Sequence, residues 1–253
     1  MRGTALPTVY IIGMGEVGAR LERGLRRSGV ETAAVTRSNG WAEALADSDG
    51  LYVVCVREQD LAEVLGYLNG VQGDRIALLQ NGWIRPLLHN FPGVTRGLIW
   101  FTAKGEFFTV LRASPFSGPL AGPLADALTA GGLPSEAVDE DVFDRLDADK
   151  MGFNCVVGLP LAVHGLSLSE YLESRREEAH AVFDEAITVC ARALGTAADS
   201  HAWENFLLSA QPLGWVRVAN AKALEFRNGA IVELARRQGG EAPVNTRLMA
   251  GRS

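Results

Sequence analysis

Two groups of residues near the N-terminus have types and spacings suited to holding phosphate. Val9-Tyr10-Ile11-Ile12 runs directly into Gly13-Met14-Gly15-Glu16-Val17-Gly18, a G-x-G-x-x-G, and residues 19–27 continue with helical spacing. In that order a buried strand delivers the chain to a tight turn, which Gly13 can make with positive φ. Gly15 lacks the Cβ that would hold a pyrophosphate off the backbone, and Gly18 lets the helix lie close on the strand. The phosphates then meet the positive, donor-rich end of that helix. Gly13, Met14, Gly15, Glu16, Val17 and Gly18 are therefore candidate dinucleotide-binding residues. With 28 glycines in 253 residues the spacing alone could arise by chance, so the strand before it and the helix after it decide the reading. The second group is Thr36-Arg37-Ser38-Asn39, at the end of the next apolar stretch. NAD sites usually place Asp or Glu there, roughly 20 residues on from the turn, to accept from ribose hydroxyls. Arg37 can instead pair bidentately with a 2′-phosphate, which a carboxylate would repel, and Ser38 and Asn39 can donate to it. NADP is the expected cofactor.

These residues need a scaffold, and the first half of the chain supplies one. Val9–Ile12, Thr32–Val35, 51–56 and 76–79 are short apolar runs without strict alternation, the pattern of parallel strands covered on both faces. Helical stretches at 19–28, Trp41–Ala46 and 60–68 lie between them. Residues 95–102 and 107–113 read as two further strands closing the sheet, that pair antiparallel, and 120–130 as a helix ending at Gly131-Gly132. This is a doubly wound α/β domain. From residue 141 onward the segments 141–157, 168–194, 202–208 and 216–238, with a short C-terminal piece, carry helical spacing and almost no strand signal. Ser169-Glu170 and Ser174-Arg175-Arg176-Glu177 are candidate helix-start signals, the latter matching S-x-x-E. The expected domains are 1–138, binding the nucleotide, and 139–253, helical, with the site in the cleft between them.

Composition narrows the function further. The apolar fraction of 47% supports a sizeable core, and a net charge of −6 without basic blocks gives no nucleic-acid footprint. Cys55, Cys155 and Cys190 are too widely spaced for a disulfide framework or a metal site. His89, His164, His180 and His201 have no metal-ligand spacing either. The N-terminus lacks the apolar core of a secretory signal and no run reaches membrane-span length, so a cytoplasmic protein that engages no membrane is expected.

Further motifs make a family visible. Arg57 follows Val53-Val54-Cys55-Val56 where a nicotinamide-proximal turn would fall, and Gln80-Asn81-Gly82 follows 76–79. Lys150-Met151-Gly152-Phe153-Asn154 opens the helical half; Asn228-Gly229 and Pro243-Val244-Asn245 close it. Over nearly its whole length this order resembles the ketopantoate reductase (2-dehydropantoate 2-reductase) family, although the chain is shorter than is usual there. The resemblance implies an N-terminal Rossmann-type domain and a C-terminal all-helical domain of the 6-phosphogluconate-dehydrogenase-like type. It implies NADPH-dependent reduction of a small carbonyl substrate, and it allows a homodimer. Gly13, Gly15 and Gly18 become the phosphate turn and Arg37 the 2′-phosphate partner. Arg57 stands where the family usually has a lysine near the cofactor. Asn81 would hold the nicotinamide ribose, and Lys150 would be the catalytic lysine, with Asn154 beside it.

The residues themselves suit those roles. Lys150 and Asn154 are spaced i, i+4 and can project from one helix face. Hydride delivery to a carbonyl leaves charge on oxygen, which an ammonium in hydrogen-bond reach stabilises and protonates. The plainer alternative for Lys150 is a surface lysine paired with Asp147 or Asp149; for Asn81 it is a turn former, as Asn-Gly commonly is. Departures from the family concern substrate recognition. Gly158 stands where a second asparagine is usual, Ala223 where a glutamate is usual, and Gln211 near the family serine, with Ser209 close by. Glu225 and Trp83 are the candidate substrate contacts. The sequence thus predicts an NADPH-dependent reductase of a small 2-oxo acid or related carbonyl compound with altered substrate recognition. A non-catalytic NADP(H)-binding sensor or partner-binding protein is the alternative.

Overall fold

The computed structural model describes residues 6–104 and 107–251. Its first part runs β1 (Val9–Ile12), α1 (Glu16–Arg27), β2 (Thr32–Val35), α2 (Trp41–Ala46), β3 (Leu51–Val54), α3 (Leu61–Tyr67), β4 (Ile76–Leu78) and β5 (Thr95–Gly97). There follow β6 (Phe101–Lys104), β7 (Phe107–Val110), β8 (Ser114–Ser117), α4 (Ala121–Ala130) and β9 (Ser135–Ala137). Seven strands form one sheet in the order β2-β1-β3-β4-β5-β8-β9, and β6 and β7 form a separate hairpin. From β2 to β5 the neighbours are parallel; β8 runs antiparallel to β5, and β9 parallel to β8.

Burial explains the strand sequences. Every residue of β1, β3 and β4 is buried, which is why they read as unbroken apolar runs. On one face Val9, Ile11 and Val53 pack with Leu21 and Leu25 of α1 and with Leu124 and Leu128 of α4. Because β1 pairs with β2 on one side and β3 on the other, the chain's connections diverge there. Open α/β sheets bind ligands beyond the carboxyl ends of strands at such a point.

The helical part comprises α5 (Glu140–Val156), α6 (Leu159–His164), α7 (Leu168–Ser174), α8 (Arg176–Leu194), α9 (Ala202–Ala210), α10 (Asn228–Arg237) and α11 (Pro243–Ala250). Two compact units result. One contains the chain up to Gln80 together with Arg85–Glu140; the other contains Asn81–Ile84 together with the chain from Asp141. The short Asn81–Ile84 segment thus belongs with the helices, although it directly follows a strand of the sheet.

The structure departs from the sequence reading at several places: α6 (Leu159–His164) was not expected, and three segments are arranged otherwise than read. Residues 95–102 are not one strand and 107–113 does not join the main sheet. After β5 the Leu98 amide donates to Pro115 O and the Trp100 amide to Ser114 Oγ, so β8 takes over the pairing. Phe101–Lys104 then pairs with Phe107–Val110 in a hairpin separate from the main sheet. Pro115 interrupts the apolar pattern of β8, which lies between β5 and β9, and the edge strand β9 is the polar Ser135-Glu136-Ala137, so neither gave an apolar signal. Second, 168–194 breaks at Arg175, and the start signal that operates is Ser167, whose Oγ accepts from the Glu170 amide while Glu170 Oε2 accepts from the Ser167 amide. Third, 216–223 is not helical. Val216 O accepts from the Leu168 amide and Arg217 donates to Gly165 O and Glu170, which draws the chain across the start of α7.

The closing motifs hold the helical unit together. Asn228 and Asn245 are fully buried, and Asn228 Nδ2 donates to Asn245 Oδ1 at 2.9 Å and to Cys155 O at 3.2 Å. Asn245 Nδ2 and the amides of Val244 and Asn245 donate to Glu185. One polar network therefore ties α10 and α11 to α5 and α8.

Candidate functional site

In the sheet-containing unit the glycine turn has the geometry a dinucleotide needs. Gly13 sits at φ +97°, and a Cβ there would lie 2.8 Å from Val56 Cγ1. At Gly18 a Cβ would stand 2.0 Å from Gly13 O, so only glycine allows α1 to start this close to β1. Gly15 differs, since a Cβ on it would meet nothing within 4 Å. Its open side faces away from the protein at the N-cap of α1, where helix amides are unspent. Among the other turn residues, Met14 and Val17 pack partly against the core and Glu16 lies exposed in the first turn of α1.

A cavity of about 220 Å³ adjoins this turn. Ile12, Gly13, Thr36 and Arg37 line it together with Trp41, Asp60 and Tyr67. The Trp41 and Tyr67 rings stack with centroids 4.6 Å apart, presenting a flat aromatic wall. Arg37 Nη2 lies 3.6 Å from Asp60 Oδ1, and Arg57 Nε donates to Asp60 Oδ2 at 2.9 Å. Arg57 therefore shares a carboxylate with Arg37 at this cavity. Asp60, Trp41 and Tyr67 escaped the sequence reading; only the i, i+3 spacing of Arg57 and Asp60 hinted at the first. Where β3 and β4 end, Gln80 Nε2 donates to Val54 O and Val56 O, pinning the stretch that packs under Gly13. The residues present fit a dinucleotide: an open glycine and unspent helix amides next to a cavity that Arg37 and an aromatic pair line.

The helical unit holds the second constellation. Lys150 is 5% exposed and Asn154 8%, both on α5, and Asp147 and Asp149 are buried beside them. Lys150 is therefore not at the surface, and the carboxylates of the plainer alternative, Asp147 and Asp149, are buried on the same helix. Lys150 Nζ lies 4.9 Å from the Phe153 ring centroid, a cation–π contact. Asn154 Nδ2 donates to Asn81 O at 2.6 Å, joining the helix to the Asn-Gly turn. Asn81 Oδ1 is buried and accepts no hydrogen bond among the described residues. Trp83, two residues on, donates its amide to Phe226 O at 2.7 Å. Glu225 precedes Phe226 in the short 3-10 turn Leu224–Phe226, so the chain path brings Trp83 and the exposed Glu225 together.

The departures are built into the backbone. A Cβ at Gly158 would stand 2.9 Å from Asn154 O, so an asparagine there would disturb the residue that holds Asn81. Ala223 adopts φ +50°, a left-handed conformation that costs a non-glycine residue about 1 kcal/mol or more. Ser209 Oγ donates to Asn205 O of its own helix, and Gln211 is exposed. A second cavity, about 340 Å³, is lined by Leu159, Ala162, Val163, Asn220, Ala221 and Leu224. Trp215 is 58% exposed.

Other titratable groups serve structure. Desolvation pushes the Cys55 and Cys155 thiols up to about 12, which leaves them inert near neutrality. His164 Nε2 lies 2.7 Å from Glu178 Oε1; burial pushes the Glu178 carboxyl up, but hydrogen bonds from His164, Tyr171 and Arg247 together hold it below its ordinary range. Among the described residues no cluster of His, Cys, Asp or Glu suits a metal ion, and no helix is long and apolar enough to cross a membrane.

No protein-family model matches the chain, and no curated protein matches it in sequence. Solved structures do match in fold. A D-mandelate dehydrogenase, solved with NADH, superposes with a TM-score of 0.76 at 16% identity, covering 96% of this chain and 97% of its own. A PanE/ApbA family ketopantoate reductase from Ralstonia eutropha JMP134 gives 0.76 at 19% identity, covering 96% of each chain. A dimeric ketopantoate reductase from Staphylococcus aureus gives 0.72 at 17% identity, covering 96% of this chain and 98% of its own. The fold is the one the motif order implies, a Rossmann-type domain followed by a helical domain.

Proposed function

We propose that this protein is an NADPH-dependent reductase of a small 2-oxo acid or related carbonyl compound, built on the ketopantoate reductase plan with altered substrate recognition. The observation that carries the reading is a lysine buried to 5% exposure, one turn from an asparagine that is bonded to the Asn-Gly turn. Burying an ammonium is costly, and such groups concentrate where charge develops during a reaction. The fold shared with a D-mandelate dehydrogenase and with ketopantoate reductases supports the same class of chemistry.

Gly13, Gly15, Gly18 and Arg37 would hold the dinucleotide, whose nicotinamide supplies hydride when bound. Lys150 donates to the carbonyl oxygen of the substrate, stabilises the charge that gathers there and furnishes its proton. Asn154 fixes the Asn81 backbone, which leaves the Asn81 carboxamide to orient the ribose and the reacting carbonyl. The helical domain supplies the surface for a homodimer, the state named for the neighbour from Staphylococcus aureus.

Two results follow. Titration with each cofactor should show tighter binding of NADPH than of NADH, and Arg37→Ala should weaken NADPH selectively by roughly 1.5–3 kcal/mol, the range for a charge-assisted contact. Equal affinities in the unmodified protein would contradict the role given to Arg37. The second concerns substrate. With Ala223, Gln211 and Gly158 at positions that are polar in the family, ketopantoate should be turned over less efficiently than apolar 2-oxo acids. A comparison of kcat/KM across a panel of 2-oxo acids, followed by NADPH oxidation, checks this. Efficient ketopantoate turnover would mean that Glu225 or another group replaces the missing partners.

A further inference from the structure

Asp60 closes the 3-10 turn Glu58–Asp60, which runs straight into α3, and its carboxylate makes no capping bond to that helix. It turns to two guanidiniums instead, Arg57 at 2.9 Å and Arg37 at 3.6 Å, at the edge of the cavity that Arg37 and Asp60 both line. The side chains of Arg37 and Arg57 are 76% and 68% exposed, and ion pairs so well solvated bind weakly. Both arginines are therefore available to a stronger anion entering the cavity. The two guanidiniums flank the Asp60 carboxylate, and Glu63 adds a second carboxylate to the cavity lining.

We infer that Asp60 sets the balance between the two nicotinamide dinucleotides: it holds down the preference for the 2′-phosphorylated form and accepts from the ribose hydroxyls of the unphosphorylated one. The inference rests on the dinucleotide reading above and extends it. A 2′-phosphate brings close to two negative charges and three strong acceptors, which suit the paired guanidiniums but are repelled by the carboxylate between them. Without that phosphate the ribose presents hydroxyl donors, and a carboxylate is the group that NAD sites use for them. Those sites draw the carboxylate from the end of the second strand. Here it comes from the start of α3, and so the residues after β2 alone pointed to NADP. Arg57 accordingly acts with Arg37 at the adenosine end of the cofactor, rather than beside the nicotinamide. Specificity is a difference between two affinities, and Asp60 moves both in opposite directions.

The test is direct binding of NADPH and of NADH to the full-length protein by calorimetry, for the unmodified chain and for Asp60→Asn, Arg57→Ala and Glu63→Gln. Glu63 lines the same cavity but makes no ion pair among the described residues, so its variant measures the general effect of lost negative charge. Asp60→Asn should raise the NADPH-to-NADH affinity ratio by about tenfold, Arg57→Ala should lower it by about fivefold, and Glu63→Gln should change it less than about twofold. An unchanged or lowered ratio in Asp60→Asn overturns the inference, because Asp60 would then do no more than position the arginines. Equal weakening of both dinucleotides by Arg57→Ala overturns it too, placing Arg57 at a part of the cofactor that the two share. Binding of neither dinucleotide to the unmodified protein would remove the underlying reading as well; binding of both with ratios insensitive to Asp60 removes this inference alone.

Discussion

Replacing Lys150 by alanine is expected to lower turnover by about 100-fold or more while leaving cofactor affinity nearly unchanged. The expectation follows from where the side chain lies. Lys150 is buried on α5 in the helical unit, whereas the glycine turn, Arg37 and the aromatic wall belong to the sheet-containing unit. A loss confined to turnover therefore identifies a group acting on the substrate carbonyl, not on the dinucleotide. Truncating a buried side chain also leaves a cavity, so Lys150→Met is the informative companion, since it keeps the aliphatic volume and removes only the charge and donors. Both variants should fail in turnover, and Lys150→Met should keep a near-normal Tm. If turnover were unchanged in both, Lys150 would have no part in the reaction. Cofactor binding without turnover in the unmodified protein would favour the non-catalytic sensor, a reading motivated by Gly158, Ala223 and Gln211.

Gly15→Ala and Gly18→Ala should fail in opposite ways. Gly15 has φ −74° at the N-cap and no atom within 4 Å of a would-be Cβ, so alanine fits the free protein without strain. Its methyl group would occupy the side from which a diphosphate must approach. The variant should keep its Tm and lose dinucleotide affinity by on the order of 100-fold, the combined cost of lost charge-assisted contacts to the phosphates. At Gly18 a methyl group would meet the Gly13 backbone carbonyl at 2.0 Å, so backbone would have to shift. Overpacking of this kind costs about 3 kcal/mol, which for a chain of this size lowers Tm by roughly 6–12 °C. Thermal denaturation and cofactor titration on both variants check the pair. A destabilised Gly15→Ala, or a Gly18→Ala with normal Tm, would show that the turn does not have this geometry.

Much of the scaffold was legible because burial leaves a strong mark on strands. β1 has the bounds that its apolar run suggests, since a strand covered on both faces admits little else, and the edge strand β2 and helix α2 also have the bounds expected of them. What was hidden depends on partners distant in sequence. Leu98-Ile99-Trp100 reads as part of one long strand, but its hydrogen bonds go to Ser114 and Pro115, and the chain leaves the sheet there. Residues 216–223 have helical composition, yet Arg217 and Val216 are drawn to α7. The site divides in the same way. The glycine turn is local and could be read residue by residue. The Arg57–Asp60 pair is local, at i, i+3, but the approach of Arg37 to Asp60 and of Asn154 to the Asn81 carbonyl joins separate elements and has no local signature. The resemblance to a family named Lys150 and Asn154, and burial then separated Lys150 from an ordinary surface lysine.

The most direct test of the central claim is transfer of deuterium from NADPH labelled at the nicotinamide C4 to a 2-oxo acid, detected by mass spectrometry. Incubation of the unmodified protein with labelled cofactor and a panel of 2-oxo acids should yield at least one 2-hydroxy acid carrying the label at the former carbonyl carbon, and Lys150→Met should yield almost none. Absence of labelled product from every acid, with NADPH bound normally, would contradict a reductase.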